Sequence, residues 1–449
     1  GIGPNVYIGA ALIDMCTRCG RMMDAEKLLK SWPFEQAGCI FRTSILCEYA
    51  RNGLPDEAIS FFIRCYLDET LVIDEVALTS VLGVCGTLGI DKLGIQIHSL
   101  AFKTGYAADV GVGNSLVSMY AKCCCMEKAI TLFDAMPKRD IVSWNCLIAG
   151  HVLHRQGDEA LSVWSNMKSA GIKPDSITFM LVLSSYRHTS SNLVDQCRNL
   201  FDSMKRLHGV DPNSEHYASL VGVLGFWGLL KEAEEIIIGM PFHPDAAVWR
   251  ALLDCCRLHM DMVMGKRIVK RILALKPKDP PTYVLVSNLY AASGLWHMSD
   301  MTRENMKEKR LQKQPCRSWI FNHDNVHSFY VRDNSHPETR DIYGGLDVLI
   351  MECLKAGYQP DTSFVLHELE EHQKKDFLFY HSAKLAVTYG LLSTKPGETI
   401  RIVKNILLCG DCHSFLKYVS MVTRREIVVR DTSGFHHFSN GNCSCRDHR

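Results

Sequence analysis

The chain has 449 residues, more than one hydrophobic core usually organises, so several domains or a repeat array are expected. Its 50 basic and 49 acidic residues nearly cancel, which excludes a global field that would draw the protein onto nucleic acid or a membrane, so any such binding must be local. Nineteen cysteines are spread along the chain, many beside helical apolar residues as at Cys16, Cys19, Cys85 and Cys146; this reads as buried thiols in a reducing compartment, not as a disulfide scaffold. No run approaches the length of a membrane span. The chain starts at Gly1 with no Arg/Ser-rich leader, which reads as a fragment or mature form whose address has been removed.

In chain order the first signal is repetition. "VYIGAALIDMCTRCGRMMDAEKLLKSWP", from Val6 to Pro33, returns 104 residues later as "VGVGNSLVSMYAKCCCMEKAITLFDAMP", from Val110 to Pro137. Related blocks start at Cys39 ("CIFRTSILCEYARNGLPDEAISFF") and at Ile141 ("IVSWNCLIAGHVLHRQGDEALSVWSNMKSAGIKPD"). Each predicts an apolar helix, a turn centred on Gly20, Gly53 or Gly157, an acidic helix start and a second amphipathic helix. One such hairpin cannot bury its own apolar face, so the units must stack as a solenoid. Two more divergent units follow, "AAVWRALLDCCRLHMDMVMGKRIVKRIL" and "PTYVLVSNLYAASGLWHMSDMTRENMKEK". The basic residues Lys307, Lys309, Arg310 and Lys313 beyond them suit either a phosphate contact or a solvated helix face.

The C-terminal third carries the chemistry. His381 lies in a helix-like stretch, and 28 positions later comes Cys409-Gly-Asp-Cys412. A Cys-x-x-Cys at a strand-to-helix turn lets two thiolates converge on one ion, and a distant imidazole can close a third corner, leaving a fourth position for water. Taken alone, a Cys-x-x-Cys also fits buried thiols or a redox pair. A second set comprises His413, His436, Cys443 and Cys445, with His437 as the next candidate. Four such donors close a structural zinc site, and a tail rich in Gly, Asn and Ser has little else to hold it down. The plainer reading is solvated histidines on a loose tail.

With these residues in place a resemblance can be stated. "VSWNCLIAG", "LFDAMPKRD" and "MKSAGIKPD" resemble pentatricopeptide repeats of the alternating long and short variety found in plant organelles. "PCRSWI", "NSHPE", "HSAKLA", "IRIVKN", "CGDCH", "FHHF" and "GNCSC" fall in the order of the DYW domain, the cytidine-deaminase-like domain of plant RNA-editing factors. The resemblance implies an all-α helical-repeat solenoid followed by an α/β zinc-binding deaminase-like domain. The divisions are repeats over 1–245, degenerate E-type repeats over 246–314 and the DYW domain over 315–449. It implies two Zn²⁺ ions, one on His381, Cys409 and Cys412 and one on His413, His436, Cys443 and Cys445.

In zinc deaminases a Glu two positions after the ligand His moves the protons without binding metal. Here that position is Ala383, and neither Ser382 nor Lys384 is suited to replace it. The expectation is a folded, metal-binding and chemically disabled domain, in which Ala383→Glu would face a polar pocket at little cost. The chain also ends "RDHR" where the family ends Asp-Tyr-Trp, has Cys316 where Gly is usual, and has Cys124 at a helix turn usually held by Gly.

The resemblance further implies that the array reads single-stranded RNA, one base per repeat, through a polar residue early in the first helix and one at the repeat's end. By register these pairs are Thr43 with Asp74, Asn114 with Asp140, and Asn145 with Asp175. Asn/Asp pairs prefer U and Thr/Asp pairs prefer G in that family; Asn and Asp are equally ordinary cap and turn residues. Three functions follow as alternatives. The first is a site-specific C-to-U RNA-editing factor of chloroplast or mitochondrion. The second is an RNA-binding adaptor that recruits an active partner in trans. The third is a helical-repeat scaffold with structural zinc only. Single-stranded organellar RNA and editing-factor proteins are the implied partners, and no membrane.

Overall fold

A computed structural model describes residues 6–31, 35–311, 315–322, 325–365 and 370–445. Lys313 and the "RDHR" end from Arg446 lie outside the described residues. The chain divides into two units, Gly1–His151 and Val152–Arg449.

The first unit consists of helical hairpins. These are α1 (Val6–Arg18) with α2 (Met22–Ser31), α3 (Glu35–Arg51) with α4 (Pro55–Leu67), α5 (Glu75–Leu88) with α6 (Asp91–Lys103) and α7 (Val110–Lys122) with α8 (Met126–Ala135), then α9 (Ile141–Leu153) at the boundary. First helices of successive repeats pack on each other, α1 on α3, α3 on α5 and α5 on α7, which buries Ile45, Leu46, Leu78, Val81, Leu82, Leu116 and Val117 in one continuous core. The turns behave as the sequence predicts at Gly20 and Gly53, both with φ of +70°. Cys124 holds the equivalent left-handed position at φ +62°, a conformation that costs a non-glycine residue about 1–2 kcal/mol.

The second unit continues with α10 (Gly157–Ser169), α11 (Ser176–Ser185), α12 (Val194–His208), α13 (Ser214–Phe226), α14 (Leu230–Ile238), α15 (Ala246–Leu258), α16 (Met262–Ala274), α17 (Pro280–Ala292) and α18 (Trp296–Glu308). One turn differs from expectation: Gly157 is the first residue of α10, and the left-handed residue is Arg155, at φ +58°. Gly157 is required for another reason, since a Cβ there would meet Ser185 O and His188 C at 2.5 Å. Lys309 is exposed, and it donates to the Tyr283 hydroxyl and sits over that ring.

After α18 the alternation changes and an α/β layer follows. β1 (Ser318–Asn322) and β2 (Asn325–Phe329) precede α19 (Thr339–Lys355), α20 (Glu371–Phe379) and α21 (Ser382–Ser393). β3 (Ile400–Lys404), α22 (Gly410–Thr423), β4 (Ile427–Asp431), β5 (Gly434–Ser439) and β6 (Asn442–Cys443) complete it. The sheet order is β2-β1-β3-β4-β5-β6, with β3 and β4 parallel and every other pair antiparallel. Because β3 and β4 are parallel they need a crossover, and α22 is that crossover. Its apolar side, Phe415, Leu416 and Val419, joins Leu385, Val387, Ile400, Ile402, Ile427 and Val429 in one core, which fixes where the starts of α21 and α22 lie. No described cysteine is in a disulfide, and no helix among the described residues is long and apolar enough to cross a membrane.

Candidate metal centres and nucleic-acid face

The starts of α21 and α22 are where the first cluster forms. His381 is not inside a helix, as its sequence context suggested, but is the extended N-cap residue of α21, at the break after α20. Cys409 is the N-cap of α22, and its Sγ accepts a hydrogen bond from Cys412 N at 3.4 Å. Both thiols therefore sit at the positive end of a helix, which favours thiolate. His381 Nδ1 lies 3.5 Å from Cys409 Sγ and 3.4 Å from Cys412 Sγ. In a tetrahedral zinc site with Zn–S of about 2.3 Å and Zn–N of about 2.0 Å, neighbouring sulfur and nitrogen donors are about 3.5 Å apart. The donor set thus fits such an ion in chemistry and spacing. Two thiols this close oppose each other's ionisation: the hydrogen bond from Cys412 holds Cys409 well below the usual thiol range, with His381 adding to it, and the same bond pushes Cys412 well above. A cation between them relieves that conflict.

Ala383 is in the first turn of α21 and is fully buried within the apolar core cluster. This corrects the expectation of a polar pocket: a Glu here must displace packed neighbours. Neither flanking residue is free to act. Ser382 hydrogen bonds to Ser318 Oγ at 2.9 Å and receives Lys404 Nζ at 3.2 Å, while Lys384 is paired with Asp411. Cys316 places its Sγ 2.7 Å from Lys404 Nζ.

The second cluster gathers His413, His436, Cys443 and Cys445, whose donor atoms all lie within 4.8 Å of one another. His413 Nε2 is 3.1 Å from Cys445 Sγ, and His436 Nδ1 is 3.8 Å from Cys443 Sγ. His413 and His436 are buried, not solvated. The sheet decides between the two adjacent histidines. In β5 successive side chains point to opposite faces, so His436, opposite Val429, and His437, opposite Val428, diverge, and only His436 joins this cluster. Behind His436 stands Asp431, which the sequence reading did not single out. Its Oδ2 is 3.4 Å from His436 Nε2 and accepts from Leu408 N at 2.8 Å, while Oδ1 accepts from Ser433 N at 2.7 Å. Burial works to raise the Asp431 pKa, but His436 and these donors outweigh it and bring it to about 2. Burial likewise works to lower His436, and Asp431 outweighs it, so His436 is raised. A carboxylate behind a ligating imidazole fixes its tautomer and orientation. Arg155 adds a donor from the turn before α10, its Nη2 lying 2.6 Å from Ser433 Oγ and 3.3 Å from His436 Nε2.

Asn114 and Asn145 lie near the starts of α7 and α9, whereas Thr43 lies in the middle of α3. Thr43, Asn114 and Asn145 are in first helices and are buried, at 9%, 6% and 7% exposure, so each is held in place by its surroundings. Asn114 Nδ2 donates to Asp140 Oδ1 at 3.1 Å, bringing together one of the sequence-predicted pairs. Asp140 Oδ1 also accepts from Ser143 N and Ser143 Oγ, each at 2.9 Å, at the start of α9. Burial acts to raise the Asp140 pKa, but the bonds from Ser143 and Asn114 prevail and lower it. Asp74 caps α5 by accepting from Ala77 N at 2.8 Å, and Asp175 caps α11 by accepting from Thr178 N at 2.8 Å. All three aspartates therefore do the capping work that the plainer reading gave them, worth about 1 kcal/mol each, and Asp140 holds Asn114 as well.

The sequence description "DYW family of nucleic acid deaminases" matches residues 357–449, "E motif" matches 259–321, "PPR repeat family" matches 139–188, and "PPR repeat" matches 11–33, 42–65 and 114–141. The chain is 54% identical to the pentatricopeptide repeat-containing protein At5g03800 of Arabidopsis thaliana, over 100% of its own length and 50% of that protein. It is 38% identical to At2g03880 of the same organism, named mitochondrial, over 100% of its own length and 70% of that protein. The chain thus spans about half the length of the first of these relatives. Among solved structures it is similar to the pentatricopeptide repeat protein PPR10 from maize, at 16% identity and a TM-score of 0.40, covering 93% of this chain and 56% of that one.

Proposed function

Since the chain belongs to the pentatricopeptide repeat-containing proteins, we propose that it acts in site-specific C-to-U RNA editing in a plant organelle, chloroplast or mitochondrion. In this reading the repeats of 1–245 bind single-stranded RNA, the hairpins of 246–314 form the E-type region, and 315–449 is a cytidine-deaminase-like domain with two zinc ions. The observation that carries it is the cluster of His381, Cys409 and Cys412, three donors at zinc spacing, from two helix starts, with a corner left over. An ion held there would supply an activated water for hydrolytic deamination of an unstacked base. The chain's own residues supply the frame: His381 and the two thiols would hold the ion, and base reading is assigned to the repeat positions of Thr43, Asn114 and Asn145, of which Asn114 is bonded to Asp140.

The step that the chain lacks is proton transfer. Ala383 has no titratable atom, and Asp411, the acid nearest in sequence to the two thiols, is engaged by Lys384. That observation favours, for this chain, a domain that folds and binds metal yet needs an active partner in trans, which makes the adaptor the second reading. Elemental analysis and RNA binding test both. Two zinc ions per chain and sequence-dependent binding of single-stranded RNA are expected. One ion or none in folded protein refutes the metal assignment, and absence of RNA binding leaves the protein scaffold.

A further inference from the structure

We propose that Lys384, Asp411 and Tyr358 form a buried strut that positions His381 against Cys409 and Cys412, an inference that rests on the metal-site reading above. Lys384 and Asp411 have no exposed surface and Tyr358 is 2% exposed. Lys384 Nζ donates to Asp411 Oδ2 at 2.7 Å and to the Tyr358 hydroxyl at 3.0 Å. That hydroxyl donates in turn to Asp411 Oδ1 at 2.6 Å, and Asp361 N donates to the same oxygen at 3.0 Å. The ammonium is also 4.6 Å from the centre of the Phe415 ring and 5.3 Å from that of Tyr358.

Stability alone does not account for this cluster. Taking a lysine and a carboxylate fully out of water costs several kcal/mol per ion, and well-packed apolar residues of similar volume commonly replace such a pair without loss. What the apolar pair cannot reproduce is direction. Lys384 is in the first turn of α21, its N–H bonded to His381 O at 2.9 Å, and Asp411 stands between the two thiols in the first turn of α22. The ion pair therefore spans the two segments that carry the three donors. Tyr358, following α19, closes the triangle from a third segment and stops either partner from swinging. With four fixed hydrogen bonds the separation of the two helix starts is set to a fraction of an ångström, the tolerance that a tetrahedral donor set requires.

The test uses the full chain loaded with zinc. Chelator is titrated in, and alkylation of Cys409 and Cys412 by N-ethylmaleimide is read peptide by peptide beside that of Cys443 and Cys445. The double variant Lys384→Met/Asp411→Leu removes the charges as a pair, so no lone ion is left buried. It is expected to keep its melting temperature and to expose Cys409 and Cys412 at about 10- to 100-fold lower chelator, the loss typical of removing an outer-shell partner, with Cys443 and Cys445 unmoved. Tyr358→Phe keeps the ring and removes only the hydroxyl; it is expected to give a smaller shift in the same direction and serves if the double variant does not fold. Unchanged protection of Cys409 and Cys412 in these folded variants overturns the strut. If zinc fails to protect those two thiols in the unsubstituted chain, the metal-site reading itself falls and takes the strut with it.

Discussion

Ala383→Glu supplies the proton carrier that the proposed deaminase reading lacks, and the structure bears on both its gain and its cost. Positioned acid/base groups are worth about 10² to 10⁴ in rate, or about 2.7 to 5.4 kcal/mol of barrier at 1.36 kcal/mol per decade. Against this, Ala383 is fully buried, so a larger side chain costs about 1 to 3 kcal/mol in overpacking, and its carboxylate costs several kcal/mol more unless it is hydrogen-bonded there. A carboxylate in the first turn of α21 recovers about 0.3 to 1 kcal/mol from the helix dipole. The variant is therefore expected to melt at lower temperature yet remain folded and convert cytidine to uridine in a matched single-stranded RNA, at least 10²-fold above the unsubstituted chain. Sequencing of the RNA after incubation at equal zinc loading measures it. Equal turnover in both proteins would refute the reasoning, because another residue would then carry the proton. Inactivity in both, with zinc bound, would move the defect to the "RDHR" end or to a required partner.

Cys445→Ser is expected to lower zinc from two ions to one and to open the tail after β4 to limited proteolysis, because metal binding and folding are one event in so small a module; an intact two-ion protein would contradict it. Asn145→Thr is expected to shift base preference from U towards G at a single RNA position, read by binding to four oligonucleotides that differ there, and equal binding of all four would refute the register. His188 gives a pH dependence: burial, with Arg155 and Arg187 beside it, holds its pKa at about 3 against an ordinary 6.5. As pH falls from about 6.5 to about 3 the unfolded chain binds a proton there that the folded chain does not, so stability falls over that window by up to a few kcal/mol. His188→Gln should flatten the decline, as read by denaturant melts at several pH values.

How much was legible in the sequence depended on how far each relation reaches along the chain. The hairpins were legible because repetition makes each helix pack on its copy, and the two candidate donor clusters because Cys-x-x-Cys and clustered histidines narrow the chemistry. The sequence already ranked His436 ahead of His437, and the register of β4 and β5 supplies the physical reason: the two side chains leave opposite faces of the sheet. Gly157 misled for a physical reason: a glycine near a turn suggests a left-handed residue, whereas this one is needed for close approach to the backbone at Ser185 and His188. Lys384 with Asp411 and Tyr358 was not legible at all. The three lie 26 to 53 positions apart in pairs and share no period, so only the packing of α19, α21 and α22 brings them together.

The two candidate centres are joined by α22 itself. Cys412 and His413 are consecutive, and a helix turns by about 100° per residue, so the two side chains leave the helix in different directions, one towards His381 and the other towards Cys445. Both are buried in the first turn, the part of a helix most prone to fray when nothing holds it. The second cluster binds that turn to β5 and β6 through His436, Cys443 and Cys445, and Asp431 holds His436 from behind while also capturing Leu408 N just ahead of Cys409. The tail is therefore part of the frame of the first centre: it limits rotation of α22 about its axis, while the Lys384–Asp411 pair limits the distance between α22 and α21.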